Sequence, residues 1–197
     1  MTTYTSDRAF TDYIHQQLAL PLVYRPLNWQ PVELQQQTAA ELDMFRGIDY
    51  VFRDSEGQHK TVQERFRECK YQRYGDFTIR YRRDRNPNKD RHLSEYYKMK
   101  ADFFTYGITN GYKNNWQGCT DFLKYAIIDL KKVYEKIDSK QIIISDNRRN
   151  TCTLEKGAII CPVKHNRDGS SSFFPIEIRF LLQLWGNELI VSQKGFV

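Results

Sequence analysis

The residues best suited to chemistry lie in one short segment, residues 47–67. This segment predicts two strands joined by a polar turn, with Asp49 on the first strand and Gln63, Glu64 and Arg65 on the second. Phosphodiester hydrolysis needs a metal that polarises the phosphate, oxygen ligands for that metal, and a cation near the developing charge. Asp49 offers a carboxylate, Gln63 an amide oxygen, Glu64 its carboxylate or its main-chain carbonyl, and Arg65 the cation. Together these residue types predict a site for Mg²⁺ (or Mn²⁺) that acts on nucleic acid.

Strand alternation leaves two orientations open for the second strand. Gln63 and Arg65 share one face, whereas Glu64 shares the other face with Val62 and Phe66. If Val62 and Phe66 lie in the core, Gln63 and Arg65 face the site and Glu64 is buried, where a carboxylate needs a partner or a metal. The spacing alone does not decide whether Gln63 with Arg65 or Glu64 faces the metal.

A basic segment follows directly. Residues 65–91 hold ten Lys or Arg and four Asp or Glu, so this segment alone carries a charge of +6, equal to the net charge of the whole chain. Tyrosines and a phenylalanine alternate with the cations, and this combination favours nucleic acid through charge attraction and base stacking. DNA is favoured over RNA as the partner. The residues expected to bind its backbone are Arg67, Arg73, Arg80, Arg82 and Arg83.

Asp49, followed at hairpin distance by Gln63-x-Arg65, resembles the motif of the PD-(D/E)XK nuclease superfamily. In that family an Asp on one strand and an acidic-x-Lys triplet on the next bind Mg²⁺ and activate water. The resemblance implies a restriction-endonuclease-like fold and a metal-dependent endonuclease acting on DNA. It also implies that a Glu on the preceding helix, Glu33 or Glu41, joins the site, and that a homodimer forms to cut both strands. Gln63 replaces the family acid and Arg65 its Lys; because arginine stays charged, its role is electrostatic.

These departures from the family motif keep two other functions open. One is a nuclease-like module that has lost catalysis and binds nucleic acid through its arginines. The other is a partner-dependent subunit whose basic strand meets an acidic protein. A zinc site formed by Cys152, Cys161 and His165 is a separate alternative, although the spacing matches no compact zinc motif.

Hydrophobic pattern and turn residues predict the elements that position these groups. The predicted helices lie at residues 6–19, 31–45 and 120–137, and the predicted strands lie at residues 48–53, 61–67, 76–82, 100–108 and 141–145.

Glycine and proline positions add detail to this pattern. Gly47 is expected to end the second helix, and the prolines at 21 and 26 predict an extended stretch through residue 29. A loop is predicted at 83–89. Residues from 152 onward predict β-structure with a turn at 168–170. Residues 180–185 suit either a strand or a helix, and the flanking context favours a strand.

The order of elements predicts an α/β fold with a mixed central β-sheet flanked by helices. The length of 197 residues fits a single nuclease-like domain, with a core at about 31–145 and a C-terminal β-rich extension at 150–197. A 40% hydrophobic fraction excludes disorder as the main state. No apolar run reaches the ~20 residues of a membrane span, and the N-terminus lacks the features of a signal peptide. A cytoplasmic location is therefore expected.

Overall fold

A computed structural model describes residues 3–83, 94–146 and 150–196. It is a mixed α/β fold in which a mixed central sheet is flanked by helices. The helices are α1 (Thr3–Ile14), α2 (Gln36–Arg46), α3 (Glu95–Lys98), α4 (Leu130–Asp138) and α5 (Ile178–Trp185). The strands are β1 (Gln30–Pro31), β2 (Tyr50–Arg53), β3 (His59–Arg67), β4 (Asp76–Arg82), β5 (Phe103–Thr109), β6 (Phe122–Asp129), β7 (Ile142–Ser145), β8 (Thr153–Glu155), β9 (Ala158–Pro162), β10 (Lys164–His165), β11 (Ser172–Glu177) and β12 (Ile190–Lys194).

The central sheet has six strands in the order β1-β2-β3-β5-β6-β12. Its neighbouring strands are antiparallel except β3 and β5, which run parallel. Two three-stranded sheets, β10-β11-β4 and β7-β9-β8, complete the fold. β3 therefore lies inside the central sheet, with β2 and β5 hydrogen-bonded along its two edges.

Two hydrophobic clusters cover the two faces of the central sheet. The first includes Phe10 of α1 with Val62 and Phe66 of β3. The second joins the central sheet to β4 and β11 through buried aromatic side chains such as Phe104 and Phe174. Because both faces are covered, alternate residues of β3 enter different environments.

The N-terminal helix continues beyond its predicted end. α1 runs into a π-helical segment, His15–Tyr24, and then a 3₁₀ turn, Arg25–Leu27. The extended stretch predicted to begin at Pro21 is therefore wrong. Pro21 cannot donate a main-chain hydrogen bond in any helix, but the apolar side chains of this segment are buried in the first cluster, and that burial offsets the missing bond.

The second predicted helix is confirmed as α2, with a later start. Gly47 ends it as predicted, in a left-handed conformation with φ of 56° that favours glycine. Pro31 lies in β1 instead of the first helical turn. The helical spacing of apolar residues predicts Phe45 on the buried stripe of this helix, but its side chain is 68% exposed.

The strands predicted at 48–53, 61–67, 76–82, 100–108 and 141–145 are confirmed as β2, β3, β4, β5 and β7, with shifted ends. The turn at 168–170 is confirmed as well. Apart from its first residue, the predicted loop at 83–89 lies outside the described residues.

The helix predicted at 120–137 is wrong in its first half, which forms β6. Ala126, Ile127 and Ile128 are all fully buried, and a strand covered on both faces gives a continuous apolar run that periodicity cannot distinguish from a buried helix. Asp129 ends the strand and caps α4 by accepting a hydrogen bond from the Lys132 N–H at 3.1 Å.

The same ambiguity affects the C-terminal region. Residues 180–185, for which the sequence favours a strand over a helix, belong to α5, which buries one apolar stripe in the second cluster. Within the described residues, no helix is long and apolar enough to cross a membrane.

Candidate functional site

The site begins where β3 extends past the start of its partner strand. β2 begins at Tyr50, and the Asp49 N–H makes one further bond to the Val62 carbonyl at 2.9 Å. Beyond that point the Asp49 side chain, in place of a main-chain carbonyl, accepts hydrogen bonds from β3. Its Oδ2 accepts from the Glu64 N–H at 2.7 Å and from Gln63 Nε2 at 2.6 Å. The strand end thus holds a carboxylate against the middle of β3.

Three oxygen-bearing groups converge at this point. They are the Asp49 carboxylate, the Gln63 side-chain amide and the Glu64 main-chain carbonyl, whose oxygen lies 3.4 Å from Gln63 Nε2. The Gln63 amide nitrogen donates toward both oxygens. It therefore satisfies two acceptors that otherwise need another donor or a cation.

The environment of Asp49 disfavours its charged form. Burial raises the pKa of Asp49 from its ordinary value of 3.8 to about 7. The hydrogen bond from Glu64 opposes this rise, whereas the negative charges of Glu64 and Asp43 add to it. Asp49 is thus a carboxylate with excess negative charge around it.

A cavity of about 680 Å³ opens beside Asp49, between α1 and α2. Besides Asp49, its charged lining residues are Asp7, Arg8, Asp12, Asp43 and Glu64. Arg8 lies 3.4 Å from Asp12 and 3.5 Å from Asp43, so it links α1 to α2 at this cavity. The excess of carboxylates favours a cation in the cavity and repels phosphate unless a cation is bound.

The Glu64 side chain lies on the other face of β3. It is buried among His15 and Tyr24, with His15 Nδ1 at 3.0 Å from both carboxylate oxygens and the Tyr24 hydroxyl donating at 2.6 Å. Of the two orientations that the sequence left open, the structure has Gln63 facing Asp49. Glu64 therefore meets Asp49 through its main chain.

Arg65 shares the Gln63 face and reaches across to β4 and α3. Its Nη2 lies 2.6 Å from Glu95 Oε1, and its Nη1 donates to the main-chain carbonyl and the hydroxyl of Thr78. Burial is the largest single influence and acts to raise the pKa of Glu95, but the charge and hydrogen bond of Arg65 and the N–H and charge of Arg80 together lower the pKa. The pair is therefore ionised, and Arg65 is held between the two sheets.

A basic cleft of about 330 Å³ lies between β3 and β4. Arg67 and Arg80, both predicted to bind nucleic acid, line this cleft together with Arg65. Arg67 Nη2 donates to Thr78 Oγ1 at 3.2 Å, and its guanidinium stacks 5.0 Å from the ring centre of Tyr71. β3 thus carries the Asp49 site at one end of its polar face and the basic cleft at the other.

The remaining predicted arginines lie outside this cleft. Arg82 lies 3.6 Å from Asp146, and Arg73 stacks 4.9 Å from the ring centre of Tyr74. Arg83 is exposed at the end of a described segment.

The helix before Asp49, α2, contributes a carboxylate to the cavity, but from Asp43 and not from Glu33 or Glu41. Glu33 and Glu41 are exposed, and neither lines the cavity, whereas Asp43 does. Asp43 lies in the last turn of α2, and its main-chain carbonyl accepts from the capping Gly47. The position of Asp43 in the last turn of the helix, shortly before Asp49 in the sequence, is the signal that identifies it as a site residue.

Metal-binding side chains are sparse. Within residues 3–83, 94–146 and 150–196, no three His, Cys, Asp or Glu side chains form a group that holds a metal ion. The zinc alternative with Cys152, Cys161 and His165 is therefore wrong. Cys152 instead donates its thiol to the Pro175 carbonyl at 3.1 Å. Any cation at Asp49 needs amide, main-chain or water oxygens as further ligands.

No protein-family model, curated protein or solved structure matches this chain. A functional assignment therefore depends on the geometry of Asp49, Gln63 and the basic cleft.

Proposed function

We propose that the protein is a metal-dependent endonuclease of restriction-endonuclease-like fold that hydrolyses phosphodiester bonds in DNA. The observation that carries this proposal is the convergence of Asp49, the Gln63 amide and the Glu64 carbonyl at one end of the polar face of β3. These are the oxygen groups that Mg²⁺ accepts, and one or two protein carboxylates are enough because Mg²⁺ retains several waters.

The groups at this strand end fit a divalent cation. The pKa of Asp49 is raised to about 7 chiefly by burial, and the cavity beside it has more carboxylates than cations, so a bound cation removes an electrostatic cost. Gln63 presents an oxygen to the same point when its terminal amide rotates by half a turn. Asp49, Gln63 and the Glu64 carbonyl would hold the metal, with Asp43 close enough to add charge. Such a metal polarises a phosphate and lowers the pKa of a bound water.

The arginines supply the positive charge that the acidic cavity lacks. Arg65 is fixed by Glu95 and Thr78, so its guanidinium needs no reordering when a phosphate approaches. Arg67 and Arg80 lie further along the same cleft and would hold the backbone of the strand.

A nicking assay tests this proposal. Supercoiled plasmid is incubated with the protein in Mg²⁺ or Mn²⁺, and Asp49→Ala is expected to reduce the rate by at least about 100-fold, the size expected when a group essential for metal catalysis is removed. Asp138→Asn is the control, because Asp138 is an exposed carboxylate at the end of α4. Equal nicking by wild type and Asp49→Ala, or no nicking by wild type in either metal, contradicts the proposal.

A second candidate function is a nucleic-acid-binding module without catalysis. It is favoured by the Gln63 amide nitrogen, which already satisfies Asp49 and reaches the Glu64 carbonyl without a metal. Calorimetric titration with Mg²⁺ separates the two candidates. Heat of binding that disappears in Asp49→Ala supports the nuclease, whereas tight DNA binding in EDTA with no Mg²⁺ site supports the module.

A further inference from the structure

We infer that the basic cleft between β3 and β4 is a binding site for a terminal phosphate, a phosphomonoester at the end of a nucleic-acid strand. This inference rests on the proposed action on nucleic acid and adds the form of substrate that the cleft selects. Six of the residues that line the cleft carry this inference: Arg65, Arg67, Thr78, Arg80, Glu95 and Asn166.

The charge of the cleft matches a phosphomonoester. Its lining includes three arginines, Arg65, Arg67 and Arg80, and one carboxylate, Glu95. Both Glu95 oxygens are engaged, one by Arg65 Nη2 at 2.6 Å and the other by the Arg80 N–H at 3.0 Å. The resulting charge of about +2 complements the roughly −1.5 to −2 of a phosphomonoester near pH 7, whereas an internal phosphodiester carries a single negative charge.

Donors in the cleft lack acceptors. Arg67 Nε is buried and has no hydrogen-bond partner among the described residues. Thr78 Oγ1 accepts from Arg65 Nη1 at 3.1 Å and from Arg67 Nη2 at 3.2 Å, so its own hydrogen is available for donation. Buried donors of this kind normally have partners, and phosphate oxygens are acceptors that guanidinium groups bind in a defined geometry.

The shape of the cleft suits a group at the end of a chain. Asn166 closes one side from the turn between β10 and β11, where its Nδ2 donates to Ser171 Oγ at 2.7 Å. A volume of about 330 Å³ is at the small end of ligand-sized sites, which holds a phosphate and its sugar.

The cleft is distinct from the Asp49 site. Gln63, which contacts Asp49, and Arg67 are four residues apart on one face of β3, which corresponds to about 13 Å along a strand. One nucleic-acid strand is therefore able to place its terminal phosphate at Arg67 and an internal phosphodiester near Asp49.

Binding to short labelled oligonucleotides in EDTA tests the inference. Strands of one sequence are compared with a 5′-phosphate, a 3′-phosphate or hydroxyls at both ends, using fluorescence anisotropy. One phosphorylated form is expected to bind about 10-fold more tightly than the hydroxyl form, as for a charge-assisted bidentate contact. Inorganic phosphate is expected to compete with that form, and the preference should shrink at pH 5 because the second phosphate pKa is about 6.

Two variants locate the effect. Arg67→Gln and Thr78→Val are each expected to reduce the preference to less than about 2-fold, since each removes a donor to the same phosphate. Arg25→Gln is the matched control, because Arg25 is exposed and lies outside the cleft, so this variant should retain the preference. Circular dichroism confirms that each variant is folded.

The outcomes separate this inference from the nuclease proposal. Equal binding of all three oligonucleotides, or a preference that persists in Arg67→Gln, overturns the terminal-phosphate site. Plasmid nicking uses a substrate without strand ends, so it tests the nuclease proposal without a terminal phosphate. Nicking without an end preference leaves the nuclease proposal standing, and an end preference without nicking leaves the phosphate site standing.

Discussion

At the scale of single residues, Asp49 is stabilised by two hydrogen bonds and destabilised by its surroundings. Burial raises its folded-state pKa to about 7, against 3.8 in an ordinary environment. Between these pH values the folded protein keeps a proton that the unfolded chain has released. The folded state therefore binds more protons, and this contribution to stability is present below about pH 4 and is lost as pH rises to 7.

Asp49→Asn is expected to remove this pH dependence, because Asn cannot ionise and still offers an oxygen to the Glu64 N–H. At pH 8 the variant should exceed wild type in free energy of unfolding by on the order of 2 kcal/mol, a value discounted from the full pKa linkage because Asp49 is only partly buried. At pH 4 the two proteins should be similar. Urea denaturation without divalent metal at both pH values measures the difference.

Mg²⁺ provides the control for this prediction. If Asp49 is a metal ligand, Mg²⁺ at pH 8 raises the stability of wild type and leaves Asp49→Asn nearly unchanged. A variant that is less stable than wild type at pH 8 contradicts the electrostatic account of Asp49.

At the scale of elements, the ion pair between Arg65 and Glu95 satisfies main-chain groups along one edge of β4. β4 pairs with β11 on one side, and Thr78 and Arg80 direct main-chain groups to the other side. There Arg65 donates to the Thr78 carbonyl and Glu95 accepts from the Arg80 N–H. Side chains from β3 and α3 thus satisfy groups that a neighbouring strand normally binds.

Arg65→Met is therefore expected to destabilise the protein by about 3 kcal/mol, because it leaves the buried Glu95 carboxylate without its cation. The double variant Arg65→Met with Glu95→Gln should regain part of the loss, since it removes the uncompensated charge. Urea denaturation measures both. A single variant as stable as wild type would show that the pair does not hold β4 against β3.

At the scale of the whole molecule, the C-terminal residues are part of the same fold as the candidate site. β12 pairs with β6 in the central sheet, and β11 pairs with β4, which lines the basic cleft. Phe174, Ile176 and Leu181 are fully buried in the second cluster. The predicted core at about 31–145 and the predicted extension at 150–197 follow each other in sequence. In the structure, strands and buried side chains from these two parts pack against each other.

A fragment of residues 1–149 is expected not to fold cooperatively. It lacks the partner of β4 and one strand of the central sheet, and it leaves apolar surface of the second cluster uncovered. Thermal unfolding followed by circular dichroism compares the fragment with the full chain. A cooperative transition in the fragment contradicts this prediction and supports a separable core.

Local patterns in the sequence were sufficient for the central hairpin. Alternation and turn residues predicted β2 and β3, and Gly47 predicted the end of α2, because these features depend on neighbouring residues only. The same patterns predicted that a buried Glu64 must have a partner. They did not identify His15 and Tyr24 as the partners, since these residues come from a π-helical segment far away in sequence.

Tertiary packing decided what local pattern left ambiguous. β6 and α5 carry apolar runs that suit either a buried strand or a helix, and only their positions against the two clusters determine which one forms. Packing also brings Asp43, and not Glu33 or Glu41, to the cavity beside Asp49. It places Arg65 and Arg67 beside Thr78 and Arg80. The sequence by itself determined the chemical groups and the strand that carries them. Which groups meet was decided by the tertiary structure, because contacts between β3, β4 and α2 depend on how the chain packs and not on spacing along it.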